Sequence, residues 1–378
     1  MKNWINITLI ASLAVSAGCA KVDVVEAPGK SISFTVGTYA PQTRADGETV
    51  ALNTLGITSF SSTAYMHGEG FEGADQKFFG ADNVETISYT EVDATTASWL
   101  PSHEYFWPKN PSSFVNFFSW YGGSPDLDYA KGTSDKYEAT MTWSNVSTSS
   151  LAGLMFADVA WHFNSNATVY RKEFENHKVD GGVPTLFHHA LAQVKFVAKQ
   201  KVVENPGRVT SFAVKVDEIK LTAVKNSATS FSLTTAEPDG TSPATTPWTV
   251  SGWDGLGGSS TIQSPAAVQL TTPGESYTVI PASTANPETE WVSVLPQPVA
   301  DLKVNVTFTV TTTYGEKVVV EQVVVPEFPL SDFEGGITSW QFGKRYTYTI
   351  IIDPDAKKIK LIPEETDWID AGSFDLTV

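Results

Sequence analysis

The 378-residue chain has one cysteine, four methionines and six histidines. Its single thiol, Cys19, excludes an intramolecular disulfide, and the body that follows can hold neither a cysteine nucleophile nor a cysteine zinc cluster. A chain of this length buries enough surface to need no covalent staple. Positive charge is also scarce: 25 lysines and arginines stand against 42 aspartates and glutamates, a formal net charge of −17. Such a surface repels a phosphate backbone, which excludes nucleic acid as a partner. The acidic residues are dispersed, as on a solvated exterior rather than a docking patch. No apolar run reaches the roughly 20 residues that a membrane-spanning helix needs. The GxSxG, HExxH and GxxxxGK[ST] motifs are missing too. Nothing argues for catalysis, so no enzyme activity and no cofactor are expected.

What is present starts at Lys2, a short basic opening. A mostly apolar run from Ile5 to Val15 follows, too short to span a bilayer, and then the small residues Ser16, Ala17 and Gly18 lead into Cys19. This is the pattern of an export signal. The cysteine directly after small residues suits a lipoprotein signal, because a lipid-transferring enzyme needs a thiol as acyl acceptor. Ser16 stands where such signals usually carry leucine. The expectation is a signal over residues 1–18 and a lipid on Cys19 that holds the chain to a membrane, each buried methylene contributing about 0.8 kcal/mol.

Beyond a polar tether, Ile32, Phe34 and Val36 fall on one face of an extended segment and Ser33 and Thr35 on the other, the period-two pattern of an edge strand. The segment Pro41 to Gly47 is polar, rich in turn formers and open to proteases, and its one basic residue is Arg44. From there, short alternating runs recur to the end. They include SSFVNFFSWYG at 112–122, VKVDEIKLTAV at 214–224, DLKVNVTFTVTTTYGEKVVVEQVVV at 301–325 and RYTYTIIID at 345–353. Many short strands separated by glycine and proline predict an all-β chain built of sandwiches. Tyr314-Gly315 reads as a hairpin turn. LAGLMFADVA at 151–160 has no alternation and reads as a helical turn or two. Gly181, Gly182 and Pro184 break the chain, which places a domain boundary between an aromatic-rich part at 46–187 and a Val/Thr-rich part at 188–378. Most of Trp99, Trp107, Trp120, Trp143 and Trp161 should be core.

Metal chemistry has little support in the sequence. On a strand, His188 and His189 point to opposite faces and cannot easily share an ion. His67, His103, His162 and His177 are scattered without ligand spacing, so no metal site is expected. The Asp126/Asp128 and Asp353/Asp355 pairs lack the glycine and closing glutamate of a calcium loop and suit turn capping.

The order of several features is nonetheless specific. ISFTV is followed by TRADGE, then LNTLGITSFSSTAYM, then YFWPKNPSSFVNFFSWYG with its aromatic-Trp-Pro turn, then FHHALAQVKFVAK, and the chain closes on FGKRYTYTIIIDPDAKKIKLIPEETDWID. This series resembles the fimbrillin-like pilins of Bacteroides and Porphyromonas relatives, the subunits of type V pili, over nearly the whole chain. The resemblance implies two transthyretin-like β-sandwich domains in tandem, and a precursor lipidated at Cys19 and held at the outer membrane and cell surface. It also implies cleavage after Arg44 so that the mature chain begins at Ala45, removal of the strand Ile32 to Val36, and filling of the vacated groove by a strand of another pilin subunit. Phe374, Leu376 and Val378 share one face at the C-terminus and are the candidate donor strand; an ordinary terminal strand within its own domain is the other reading. Family members also include tip subunits and surface lipoproteins that do not polymerise, for which a host protein or a glycan is the expected partner.

Overall fold

The computed structural model describes residues 31–38, 56–68, 76–91, 97–132, 134–151, 153–165, 182–204, 207–240, 244–280, 291–332 and 337–367. The first half contributes β1 (Phe34–Thr38), β2 (Ser59–Gly68), β3 (Glu85–Glu91), β4 (Ala97–Pro101), β5 (Ser113–Tyr121), β6 (Asp126–Lys131), β7 (Tyr137–Ser147), β8 (Met155–Ala157), β9 (Val159–Phe163) and β10 (Val183–His189). The second contributes β11 (Ala192–Gln200), β12 (Ser211–Val224), β13 (Ser227–Ala236), β14 (Ala244–Thr246), β15 (Thr249–Asp254), β16 (Ser260–Gln263), β17 (Val268–Leu270), β18 (Ser276–Ile280), β19 (Val292–Val294), β20 (Lys303–Tyr314), β21 (Lys317–Pro329), β22 (Lys344–Asp353) and β23 (Lys358–Asp367). A 3-10 turn at Leu330–Asp332 is the one helical segment among the described residues. The chain is all-β.

Alternation decides where these strands go. In β20, Val304, Val306, Phe308 and Val310 are buried while the residues between them stay at least partly open. One face therefore meets the core and the other meets solvent. The two-residue loop after β20 starts with Gly315 at φ +57°, a conformation that costs glycine nothing, and the hairpin to β21 forms where the sequence places it.

Seven strands close on themselves in the order β5-β2-β3-β4-β1-β10-β8, with β8 pairing back to β5; β9 and β14 extend the sheet beyond β5. The ring encloses Ile32, Phe34, Phe60, Ile87, Trp99, Trp107, Phe117 and Phe187, among others. β5 is buried on both faces: Phe117 points into the ring, while Phe118 and Trp120 point out against a second sheet, β15-β13-β7-β6. The remaining strands form two facing sheets, β18-β11-β22-β23 with β19 on β11, and β16-β12-β20-β21 with β17 on β12. They enclose their own core, which includes Phe196, Phe308, Trp340 and Tyr348.

One expectation needs correction. The 151–160 segment is not helical; it supplies β8 and the start of β9, whose residues are buried throughout. A strand covered on both faces loses alternation, which is why its apolar run mimics a helix. Residues 187 and 188 lie in β10, and strand pairing crosses this point. β13 pairs with β7 along Ser227–Ala236, and β14 pairs with β9, so the 227–254 stretch of the second half is built into the layers of the first.

Candidate functional site

β1 and its surroundings form the most informative site. The strand is flanked on both sides. Phe34 to Thr38 run parallel to Val183 to Phe187 of β10, and Phe34 faces Trp99 of β4 in antiparallel register. Ahead of it, the Ile32 N–H donates to the Tyr105 carbonyl at 2.8 Å, Val183 N–H donates to the Ser33 carbonyl at 2.7 Å, and Ser31 bridges Phe106. The expected edge strand is thus an interior one. Alternation reports that only one face is buried, and says nothing about whether the backbone has neighbours.

Ile32 is 1% exposed and Phe34 4%; Val36 is half-buried. The Phe34 ring meets Phe60 and Phe117 edge-to-face, each at 5.7 Å between centroids. A Cβ on Gly182 would come within 2.8 Å of the Phe34 carbonyl carbon and of Thr35 Oγ1, so a side chain there would push β1 away from β10. The segment next to β1 is itself pinned by Glu85 on β3. Its carboxylate accepts hydrogen bonds from the Ser102 hydroxyl, from His103 N–H at 3.2 Å and from the Tyr105 hydroxyl at 3.0 Å. Burial works against this charge, but the bonds from Ser102, His103 and Tyr105 outweigh it and hold the carboxyl below its ordinary range.

Cys19, Arg44, Ala45, Phe374, Leu376 and Val378 lie outside the described residues. All five singled-out tryptophans are buried, and Trp107 of the Trp-Pro turn packs edge-to-face on Phe117. His188 and His189 take separate places, His188 Nε2 reaching Asp158 Oδ1 at 2.8 Å and its ring stacking on Phe156. Asp353 caps the β22–β23 turn, accepting from the N–H groups of Asp355 and Ala356. Asp126 and Asp128 do not cap a turn; both stand exposed on β6.

Sequence spacing missed two other groupings. His67 on β2 and His162 on β9 come together with Glu237, which follows β13, one ligand-type atom from each lying within 4.8 Å of the others. Only the return of β13 to the first half makes this possible. The other is an open edge. Among the described strands β21 pairs only with β20, and Val318, Val320 and Val324 are 56%, 64% and 61% exposed along it.

A sequence profile for the family described as fimbrillin-like matches residues 43–368. No curated protein matches the chain. A fimbrial protein from Bacteroides vulgatus ATCC 8482 is similar in structure, with a TM-score of 0.52 at 18% identity over 90% of this chain and 99% of that one. The tip fimbrial protein Mfa3 from Porphyromonas gingivalis, solved with a C-terminal truncation, gives a TM-score of 0.30 at 14% identity over 90% of this chain and 100% of the other. The first likeness bears on the fold and the second is too low to add to it. With the profile covering most of its length, the chain belongs to the fimbrillin-like family.

Proposed function

We propose that this chain is a structural, non-enzymatic subunit of a surface fimbria, anchored as a precursor through lipid on Cys19 and assembled by strand exchange after cleavage between Arg44 and Ala45. The observation that carries this reading is the place of β1. A strand held between β4 and β10 leaves, once withdrawn, two rows of backbone donors and acceptors and an apolar slot lined by Phe60 and Phe117. An open slot of that kind is a liability unless another strand fills it. A neighbouring subunit's strand would restore the ladders and the side-chain contacts, the recognition mode of strand addition. A donor supplied from a part of the subunit other than the slot would make the contact head-to-tail and extend it into a filament. The family profile begins at residue 43, so β1 lies ahead of the part shared with the family. Two tandem transthyretin-like sandwiches, meeting at the β10–β11 turn with residues 227–254 lent to the first, complete the reading.

Limited trypsin treatment of the purified precursor tests it. The first cut should fall after Arg44, the product should form higher oligomers, and Arg44→Ala should block both. A product that begins at Ala45, has lost β1 and stays monomeric at high concentration would overturn strand exchange, leaving a surface lipoprotein or tip adhesin that binds a host protein or glycan.

A further inference from the structure

We propose that His67, His162 and Glu237 form a binding site for one zinc-class divalent ion that ties β2, β9 and the end of β13 together. The three groups come from strands far apart in sequence and meet between the ring and the sheet that covers it, both imidazoles being buried. Their ring centroids lie 5.1 Å apart, and His162 Nε2 is 2.5 Å from Glu237 Oε1. Two imidazoles and a carboxylate are a recurrent zinc donor set, leaving a fourth position for water. With bonds of about 2.0–2.1 Å, tetrahedral ligand atoms sit about 3.4 Å apart. A spread of up to 4.8 Å closes to that distance by small side-chain rotations, with His162 and Glu237 parting slightly. Nitrogen ligands disfavour calcium and magnesium, which select oxygen.

The backbone is shaped around this group. His162, the last residue but one of β9, has φ +63°, a conformation seldom adopted by residues with a side chain. It arises from a bulge: the β5–β9 register slips between Val115 and Phe117, and two residues of β9 oppose Asn116. Bulges re-aim side chains, often at functional positions. Asn116 holds the arrangement, its Oδ1 accepting from the His162 N–H at 2.8 Å and lying 3.2 Å from His67 Nε2, while its Nδ2 donates to the Tyr129 hydroxyl at 3.0 Å. The second carboxylate oxygen, Glu237 Oε2, accepts from the Tyr137 N–H at 2.9 Å. Hydrogen bonds that orient ligands, here through the His162 backbone, a His67 ring nitrogen and the second Glu237 oxygen, are the outer shell of metal sites.

The test uses the full chain carrying Cys19→Ala, so that no thiol competes. After treatment with a chelator, it is loaded with zinc, passed through gel filtration and analysed for metal by mass spectrometry. One zinc per chain should be retained, thermal unfolding should move several degrees upward with zinc and not with magnesium, and cobalt should give the intense visible bands of tetrahedral coordination. Glu237→Gln keeps the acceptor for Tyr137, and His162→Asn keeps a residue that tolerates positive φ. Each should weaken zinc binding at least about 10- to 100-fold while the circular dichroism stays that of the parent. Zinc lost on gel filtration, or bound equally by parent and Glu237→Gln, would overturn the site; the second result would assign the ion to the acidic surface.

Discussion

Phe34→Ala should loosen β1 without unfolding the rest of the chain. The ring is 4% exposed and rests edge-to-face on Phe60 and Phe117. Truncating a buried phenylalanine costs about 3–5 kcal/mol, and each aromatic pair accounts for about 0.5–1.5 of it. Local opening of β1 would become easier by that amount. Since about 1.4 kcal/mol is a factor of ten, amide hydrogen exchange within β1 should accelerate by about two to three and a half orders of magnitude. Val183 to Phe187, paired with β1, should accelerate with it, while β20 and β21, in a separate core, should not. Thr35→Ala changes the outward face and should stay within about 0.5 kcal/mol of the parent. Exchange measured by mass spectrometry on peptides from residues 31–38, 183–189 and 303–325 separates these cases. Equal effects of Phe34→Ala and Thr35→Ala would refute the account, as would acceleration spread evenly over all three regions. Either result would mean that Phe34 does not hold β1 in its slot.

Gly182→Ala should also weaken β1, through its backbone, because the added Cβ meets Phe34 and Thr35 at 2.8 Å; after cleavage at Arg44 the leader should dissociate faster than from the parent, as followed by gel filtration. Glu85 gives a pH dependence. Its folded pKa lies below the ordinary value, so its stabilising contribution is complete above that value and is lost as pH falls through the folded pKa. Thermal unfolding between pH 6 and 3 should therefore fall less steeply in Glu85→Gln than in the parent, and a parallel decline in both would contradict the assignment. Cys19→Ala should move the protein from membrane to soluble fractions and remove the mass of the acyl chains; unchanged fractionation would sink the lipid anchor.

Much of the fold was legible because its strands are one-sided. β20 and β22 alternate cleanly, and their burial follows the pattern residue for residue. β8 and β9 were misread because both of their faces are covered, so periodicity carried no signal. The position of β1 was half-legible: Ile32 and Phe34 point inward as their spacing predicts, but side chains cannot report how many neighbours a backbone has. The His67–His162–Glu237 grouping had no sequence signal at all. It depends on β13, from the second half of the chain, pairing with β7, and on a one-residue bulge opposite Asn116, two long-range events that local spacing does not encode.

Among the described strands, the β21 edge and the slot of β1 are not equivalent as places where an added strand could bond. At the β21 edge a newcomer would gain one ladder, with Val318, Val320 and Val324 standing out to solvent beside it. In the slot of β1 it would gain a five-residue ladder to β10 and the Phe34–Trp99 pairing position on β4, and bury its alternate side chains between Phe60 and Phe117. The slot differs from the edge in burial: its occupant's apolar side chains leave water, as Ile32 and Phe34 do, while those along β21 stay exposed. That difference suits a precursor whose own strand protects the slot during export and yields only after a covalent cut. It also constrains the replacement, which must run parallel to β10, antiparallel to β4, and carry apolar residues two apart. Phe374, Leu376 and Val378 have that spacing, the same as Ile32, Phe34 and Val36. A donor shifted by one residue would turn its polar face into the slot, so in the proposed assembly the period of two would set the register as it does in the fold.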